Sequence, residues 1–121
     1  MVSVSRQRFE EMVADALDGI PRELWVEMEN VAVLVDDWPR PDQVSGRGTL
    51  LGLYEGVPLT KRSPLGYSGV LPDRITIFRG PLSERARDED DLAAQVRVTV
   101  LHEVGHYFGM SDTRLRELGW S

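Results

Sequence analysis

The sequence predicts an α+β fold, in which an N-terminal helix and a long C-terminal helix pack against a small, mostly antiparallel twisted sheet of three or four strands. Apolar residues recur at steps of three and four in two separate segments, which is typical of amphipathic helices. Between these segments lie short apolar runs bounded by Gly, Pro and Asp, as expected of strands. Because 121 residues are the length of one domain, we expect a single domain over residues 1–121.

The N-terminal helix is predicted over about residues 5–17. Its apolar side chains form one stripe. Ser5 can cap its first turn, because a serine hydroxyl accepts a hydrogen bond from an unpaired helical N–H. A Gly-Ile-Pro sequence then favours the end of the helix. A short helical turn that packs Leu24 and Trp25 is expected after it.

Three strands are predicted in the middle of the chain. Their apolar, partly β-branched residues are typical of strands with covered faces. They span residues 31–35, 49–54 and 74–78. The last strand is followed by Gly80 and Pro81, which favour a turn. Residues 55–73 form a long connection, and connections of this length often carry function.

The C-terminal helix is predicted over about residues 89–108, with acidic residues at its start, where the helix dipole favours negative charge. One apolar stripe recurs at steps of four: Leu92, Val96, Val100, Val104 and Phe108. At about 100° per residue, the opposite side carries Gln95, Thr99, His102 and His106. We therefore expect the helix to be anchored by one face and to present two histidines on the other.

The composition argues against several functions. Fourteen basic and twenty acidic residues give a net charge of −6, whereas nucleic-acid binding needs clustered Lys and Arg. The absence of cysteine excludes disulfides, thiolate metal sites and cysteine nucleophiles. The N-terminus lacks the apolar core of a signal peptide, and no apolar run approaches the roughly 20 residues of a membrane helix. We therefore expect a cytoplasmic protein with neither a nucleic-acid nor a membrane partner.

Residues 102–112 carry the strongest functional signal, His-Glu-Val-Gly-His-Tyr-Phe-Gly-Met-Ser-Asp. Helical residues four apart have β-carbons about 5–6 Å apart, so His102 and His106 can bind one zinc ion, for which Zn–N distances are about 2.0–2.1 Å. Glu103 is placed to reach a water molecule at the metal without being a ligand itself. The pattern predicts one zinc ion per chain, with Glu103 as a general base.

A catalytic zinc site needs a third protein ligand, and the chain contains no other histidine and no cysteine. Two carboxylates are candidates. Gly109 can adopt the left-handed conformation that ends a helix, which would let the chain return Asp112 to the metal. Glu117 is the competing ligand, and reach and spacing favour Asp112 over it.

Other interpretations of the two histidines stay open. They could be surface residues of an amphipathic helix, or ligands of a structural zinc ion, although closed structural sites generally use four Cys and His ligands. Two histidines and a carboxylate also hold iron in some oxygenases. Lastly, the domain could keep its zinc ion and act only by binding a protein partner, an alternative that the presence of Glu103 disfavours.

Residues 102–112 match HExxHxxGxxD, the motif of zincins whose third zinc ligand is aspartate. The chain as a whole resembles the small bacterial zincin-like metallopeptidase family, whose members are single domains of about this length. The likeness extends to residues 31–39, 52–58 and 71–82. This resemblance implies a minimal zincin-like domain.

By the same resemblance, His102, His106 and Asp112 are the zinc ligands and Glu103 is the catalytic acid and base. The implied activity is that of a zinc-dependent metallopeptidase-like hydrolase, in which a metal-activated water attacks a peptide carbonyl. The implied partner is a peptide or protein substrate.

Zincins also bind an extended substrate along an edge strand above the active-site helix, and the resemblance places that strand at residues 74–78. The expected substrate-binding residues are Ile75 and Ile77 of this strand, together with Tyr67. The oxyanion of the reaction needs a hydrogen-bond donor besides the metal. The candidates are Tyr54, Tyr67, whose loop could fold over the cleft, Tyr107 and an arginine. No methionine follows Met110 in the sequence, so we expect neither the methionine turn of metzincins nor the second subdomain of larger zincins. Substrate binding is therefore expected to be shallow or to use a partner surface.

Overall fold

The structure is a computed structural model that describes residues 2–28, 30–44, 50–57 and 72–120. Its helices are α1 (Arg6–Asp18), α2 (Arg22–Trp25), α3 (Arg79–Arg85), α4 (Glu89–Tyr107) and α5 (Asp112–Leu118). Its strands are β1 (Val31–Asp36), β2 (Gly52–Glu55) and β3 (Asp73–Phe78). These elements confirm the predicted α+β class.

The described strands form one mixed sheet in the order β1-β3-β2. β1 pairs with β3 in parallel, with Val31 opposite Asp73, and β2 pairs with β3 antiparallel, with Gly52 opposite Ile77. The expectation of a mostly antiparallel sheet is therefore wrong for one of these two pairings. A parallel pair requires a long connection, and residues 37–72 provide it between β1 and β3.

Helix α4 is the central element of the core. It packs against β2 and β3 and also against α1. Four residues of its predicted apolar stripe have no exposed surface: Leu92, Val96, Val100 and Val104. Burying an aliphatic side chain of this size contributes about 1.5–3 kcal/mol relative to leaving it exposed. The buried stripe thus fixes the position of α4 and of the groups on its remaining face.

Helix α1 has the predicted ends. The Ser5 side chain caps it by accepting a hydrogen bond from the Arg8 N–H at 3.0 Å, and Gly19 is the C-cap residue. α2 follows as the expected short turn. Leu24 packs against the core, but Trp25 is 52% exposed, so the expected packing of Trp25 is wrong.

Two short helices, α3 and α5, are missing from the sequence prediction. α3 starts directly after β3, with Pro81 in its first turn, where a proline disrupts no helical hydrogen bond. The Gly-Pro pair therefore ends the strand as predicted and also begins a helix. Among the helices described, none is both long and apolar enough to cross a membrane.

Candidate metal centre

One face of α4 brings His102 and His106 together. Their Nε2 atoms are 3.1 Å apart, and their ring planes are nearly perpendicular, at 84°. Two nitrogen atoms bound to one tetrahedral zinc ion lie about 3.3 Å apart, given Zn–N distances of about 2.0–2.1 Å. The histidine pair thus already has nearly the nitrogen separation of a zinc site.

A main-chain carbonyl fixes the ring of His102. Its Nδ1 atom lies 2.9 Å from the carbonyl oxygen of Trp120. Because a carbonyl only accepts hydrogen bonds, Nδ1 carries the proton, and Nε2 keeps its lone pair for His106 or for a metal. Proteins commonly orient metal-binding histidines with hydrogen bonds of this kind. Sequence reasoning missed the contact, because a backbone carbonyl leaves no signal in the choice of residue.

The protonation state of His106 also suits metal binding. Burial lowers the pKa of this histidine, the neighbouring charge of His102 lowers it further, and the charge of Asp112 raises it. The net effect favours the neutral ring. The neutral ring is the form that can bind a metal ion.

Asp112 lies beside the two histidines. Gly109, with a φ of 78°, adopts the predicted left-handed conformation where α4 ends. Ser111 then caps α5, and Asp112 is the first residue of that helix. The Asp112 Oδ1 atom is 3.9 Å from His106 Nε2, and the potential ligand atoms of His102, His106 and Asp112 all lie within 4.8 Å of one another. Zinc accepts a set of two imidazoles and one carboxylate, so these three residues could hold the ion.

Glu117, the competing carboxylate, is engaged elsewhere. It forms an exposed ion pair with Arg114 at 3.4 Å. Across the described segments, the group of potential ligands that contains the two histidines includes Asp112 and not Glu117. The geometry therefore favours Asp112 as the third ligand.

Glu103 is buried next to β2, with only 6% of its surface exposed. Burial raises the pKa of its carboxyl to about 7; a hydrogen bond from the Tyr54 N–H opposes this shift, and the charge of Asp112 adds to it. Glu103 lines the same cleft as the two histidines. A carboxyl group that titrates near neutral pH is suited to accept and return protons.

Gly52 allows β2 to approach α4 closely at this point. A β-carbon on residue 52 would lie 2.8 Å from Thr99 Cγ2 and 3.2 Å from Glu103 Cγ. Optimal contacts between carbon atoms are about 3.5–4.0 Å, so any side chain here would push the two elements apart. Sequence reasoning did not single out Gly52. A glycine inside a strand is nevertheless a signal for a close backbone approach.

The histidines and Glu103 open into a cleft of about 940 Å³. Ligand pockets commonly measure about 300–1,000 Å³, so the volume of this cleft is in the range of ligand-binding sites. Its apolar lining comes from the segment that leads into β2, from β2 itself, from α4 and from the turn after α4. Examples are Leu50, Leu53, Val98 and Met110.

The three tyrosines considered as oxyanion donors differ in their placement. The Tyr54 hydroxyl donates to Asp73 Oδ2 at 2.6 Å and is therefore engaged away from the histidines. Tyr107 is fully buried, with its ring edge-on to Tyr54 at 6.1 Å. Tyr67 lies outside the described residues. An arginine does line the cleft, namely Arg85.

The strand expected to bind substrate is not an edge strand. β3 is flanked by β1 and β2, and Ile75 and Ile77 are completely buried in the core. Their assignment as substrate-binding residues is therefore wrong. β2 is the strand that lines the cleft. Leu51 accepts a hydrogen bond from the Phe78 N–H at 3.0 Å, and the alternation of an antiparallel pair then directs the backbone groups of Gly52 away from β3.

A long helix with two histidines one turn apart, a glutamate beside the first of them and a mixed sheet against that helix together define a zincin-like protein. The sequence matches the zincin-like metallopeptidase family over residues 28–120, and the chain therefore belongs to this family. Membership implies a metal ion, typically zinc, for which His102, His106 and Asp112 form a possible site.

A similar fold is found in a solved structure of a conserved hypothetical protein from Thermo thermophilus. The two sequences are 26% identical, and the structures align with a TM-score of 0.57 over 95% of this chain and 97% of the other. No functionally curated protein matches the sequence.

Proposed function

We propose that this protein is a zinc-dependent metallopeptidase. The observation that carries the proposal is the convergence of His102, His106 and Asp112 within 4.8 Å, beside a buried glutamate in an apolar cleft. Membership of the zincin-like metallopeptidase family supports it. A purely structural zinc ion would require neither the buried acid nor the cleft.

In this proposal, His102, His106 and Asp112 would hold one zinc ion. A bound zinc ion would polarise the substrate carbonyl and lower the pKa of a water molecule to about 7. Glu103 would take a proton from that water and return it to the leaving amine as the peptide C–N bond breaks. The Trp120 carbonyl keeps the Nε2 lone pair of His102 directed at the site.

Among the described strands, β2 has a neighbour on one side only, and an extended peptide would bind along its other side. Gly52 directs its backbone N–H and C=O away from β3, and a substrate that adds to a sheet as a further strand uses backbone groups of this kind. Alternate side chains of the substrate would then face α4. They would enter the cleft between Leu53 and Val98.

Metal content and hydrolysis together test the proposal. Wild-type protein purified without added metal is expected to contain about one zinc ion per chain. Incubation with a peptide library, followed by mass spectrometry, is expected to show cleavage. Glu103→Gln should keep the zinc ion and lose activity by about 10²- to 10⁴-fold, the contribution of a positioned acid or base. Glu117→Gln is the control and should retain both properties.

Three outcomes would contradict the proposal in different ways. Absence of zinc even after it is supplied would remove the metal site. Zinc binding without cleavage in the wild type would leave a non-catalytic module that acts through a protein partner. Selective retention of iron would indicate oxygen chemistry instead of hydrolysis.

A further inference from the structure

The cleft extends well beyond the histidines, toward the start of α4. Ala94 and Gln95 line it, and at 1.5 Å per residue they lie about 10–12 Å from His102 along the helix axis. Arg85 lines the same cleft, and only three residues separate it from the first residue of α4. Arg85 is therefore at the end of the cleft that is far from the histidines.

The guanidinium of Arg85 is available to a ligand. It forms no hydrogen bond or ion pair with any residue that the structure describes. Asp88 caps α4, and Glu89 pairs with Arg8 at 3.3 Å. Glu84, the residue before Arg85, lines a different pocket. In the described part of the chain, none of these three carboxylates forms an ion pair with Arg85.

The other polar side chains in this part of the cleft already have partners. Gln95 donates to Asp91 Oδ2 at 2.9 Å, and the Thr99 hydroxyl donates to the Gln95 carbonyl at 2.8 Å. The neighbouring lining is apolar, as at Leu50 and Val98. A ligand that crosses this part of the cleft would therefore meet apolar walls first and a positive charge at the end.

The orientation of β2 gives the direction in which a peptide would cross the cleft. Gly52 lies against Thr99, and Tyr54 lies against Tyr107, so β2 runs in the same direction as α4 and the residues before it lie toward Arg85. Antiparallel pairing is more stable per residue than parallel pairing. A peptide antiparallel to β2 would extend its C-terminal side toward Arg85. The distance along α4 from His102 to Ala94 and Gln95 is about 10–12 Å. An extended peptide, at about 3.4 Å per residue, would cover this distance with three or four residues.

We propose that this cleft selects peptides that carry a carboxylate three or four residues C-terminal to the scissile bond, with apolar residues between. This inference rests on the proposed peptidase function. Arg85 binds the carboxylate, for which the planar fork of a guanidinium is well matched. The carboxylate belongs to an Asp or Glu side chain or to the C-terminus of the substrate, and the two sources share this chemistry.

Peptide binding to the Glu103→Gln variant, loaded with zinc, tests the inference without requiring hydrolysis. The probes are fluorescein-labelled octapeptides of Leu and Ala with an amidated C-terminus, each with Glu or Gln at one position. A further probe has no Glu and a free C-terminal carboxylate. Fluorescence anisotropy is expected to show about five- to tenfold tighter binding for one Glu position, or for the free C-terminus, than for the matched uncharged peptide.

Variants of Arg85 identify the group responsible. Arg85→Gln should abolish the preference for a carboxylate, and Arg85→Glu should transfer it to peptides with Lys at the same position. Arg97→Gln is the matched control, since Arg97 is an exposed arginine of α4 that does not line the cleft. The inference is overturned by a preference that survives Arg85→Gln, by equal binding of charged and uncharged peptides, or by the absence of peptide binding.

The same titrations on metal-free wild-type protein separate this inference from the proposed function. A protein that holds no zinc or cleaves no peptide, but shows the Arg85-dependent preference, would contradict the peptidase proposal and support the carboxylate subsite. If the protein cleaves peptides but Arg85→Gln changes neither peptide binding nor the cleavage position, the inference of a carboxylate subsite is overturned and the peptidase proposal stands.

Discussion

The Nδ1 atom of His102 lies 2.9 Å from the carbonyl oxygen of Trp120, eighteen residues further along the chain. The position of that carbonyl depends on α5, because the Trp120 N–H donates to the Leu115 carbonyl at 2.8 Å. Leu115 is fully buried and packs directly against Gly105 of α4. The same short helix begins with Asp112. α5 therefore supplies one potential metal ligand and orients another.

A chain that ends at Gly119 is expected to bind zinc about 10- to 100-fold more weakly than the full chain, the usual effect of removing a hydrogen bond to a metal-binding histidine. Competition with a chelator measures the affinity. Nitrogen-15 NMR of the metal-free protein should show His102 protonated at Nδ1 in the full chain and a mixture of tautomers in the truncated one. Trp120→Ala keeps the carbonyl and loses the indole, so it should retain both properties. An unchanged tautomer in the truncated chain would contradict the assigned role.

The residues that sequence reasoning placed correctly depend on local spacing. His102, Glu103 and His106 lie within two turns of one helix, and the apolar stripe that defines this helix recurs every four residues. Their relative positions therefore follow from helix geometry alone. The left-handed conformation of Gly109 could be predicted for a similar reason, because glycine is the preferred residue at the left-handed end of a helix.

The features that the sequence did not reveal depend on contacts between distant segments. β3 lies between two neighbours because β1 and β2, which come earlier in the chain, both pair with it, and no local pattern encodes these pairings. The family resemblance predicts that Ile75 and Ile77 belong to an edge strand, but an apolar run is equally typical of a central strand. Gly80 is a further example. A side chain there would collide with the Trp38 ring, a contact that only the folded chain shows.

Asp112→Asn is expected to weaken zinc binding by at least about 100-fold. Partners of metal ligands are commonly worth 10- to 100-fold in affinity, so a ligand itself should be worth more. Glu117→Gln removes the same charge from the same helix, five residues further along, and should change the affinity little. Chelator competition on the two variants provides the comparison. A larger loss in Glu117→Gln than in Asp112→Asn would assign the third ligand to Glu117.

Gly105→Ala is expected to lower the free energy of unfolding by about 1–3 kcal/mol, the usual cost of overfilling a packed core. The added methyl would collide with the Leu115 side chain. Leu115→Ala alone leaves a cavity and should cost about 2–5 kcal/mol. In the double variant the added methyl occupies part of that cavity. The double variant should therefore lose about 0.5–3 kcal/mol less stability than the two single variants lose together. Urea denaturation of the four proteins measures this coupling, and strict additivity would show that the two residues do not constrain each other.

The buried carboxyl of Glu103 should make the metal-free protein less stable as the pH rises. Its pKa is about 7 in the folded chain and 4.5 when unperturbed. Between these values the folded state binds more protons at this group than the unfolded state, so the free energy of unfolding falls with increasing pH. The loss begins near pH 4.5, is complete just above pH 7, and amounts to about 3 kcal/mol at 1.36 kcal/mol per pKa unit.

Urea denaturation of metal-free wild type and Glu103→Gln, from pH 4 to pH 8, isolates this effect. The lowered pKa of His106 destabilises the protein as the pH falls below 6.5, but both proteins keep this histidine, so its contribution largely cancels in the difference. The stability of Glu103→Gln relative to wild type should therefore rise between pH 4.5 and pH 7 and then level off. Glu117→Gln, which changes an exposed glutamate, should show no such rise. A pH-independent difference between wild type and Glu103→Gln would show that burial does not raise the pKa of the Glu103 carboxyl in the metal-free protein.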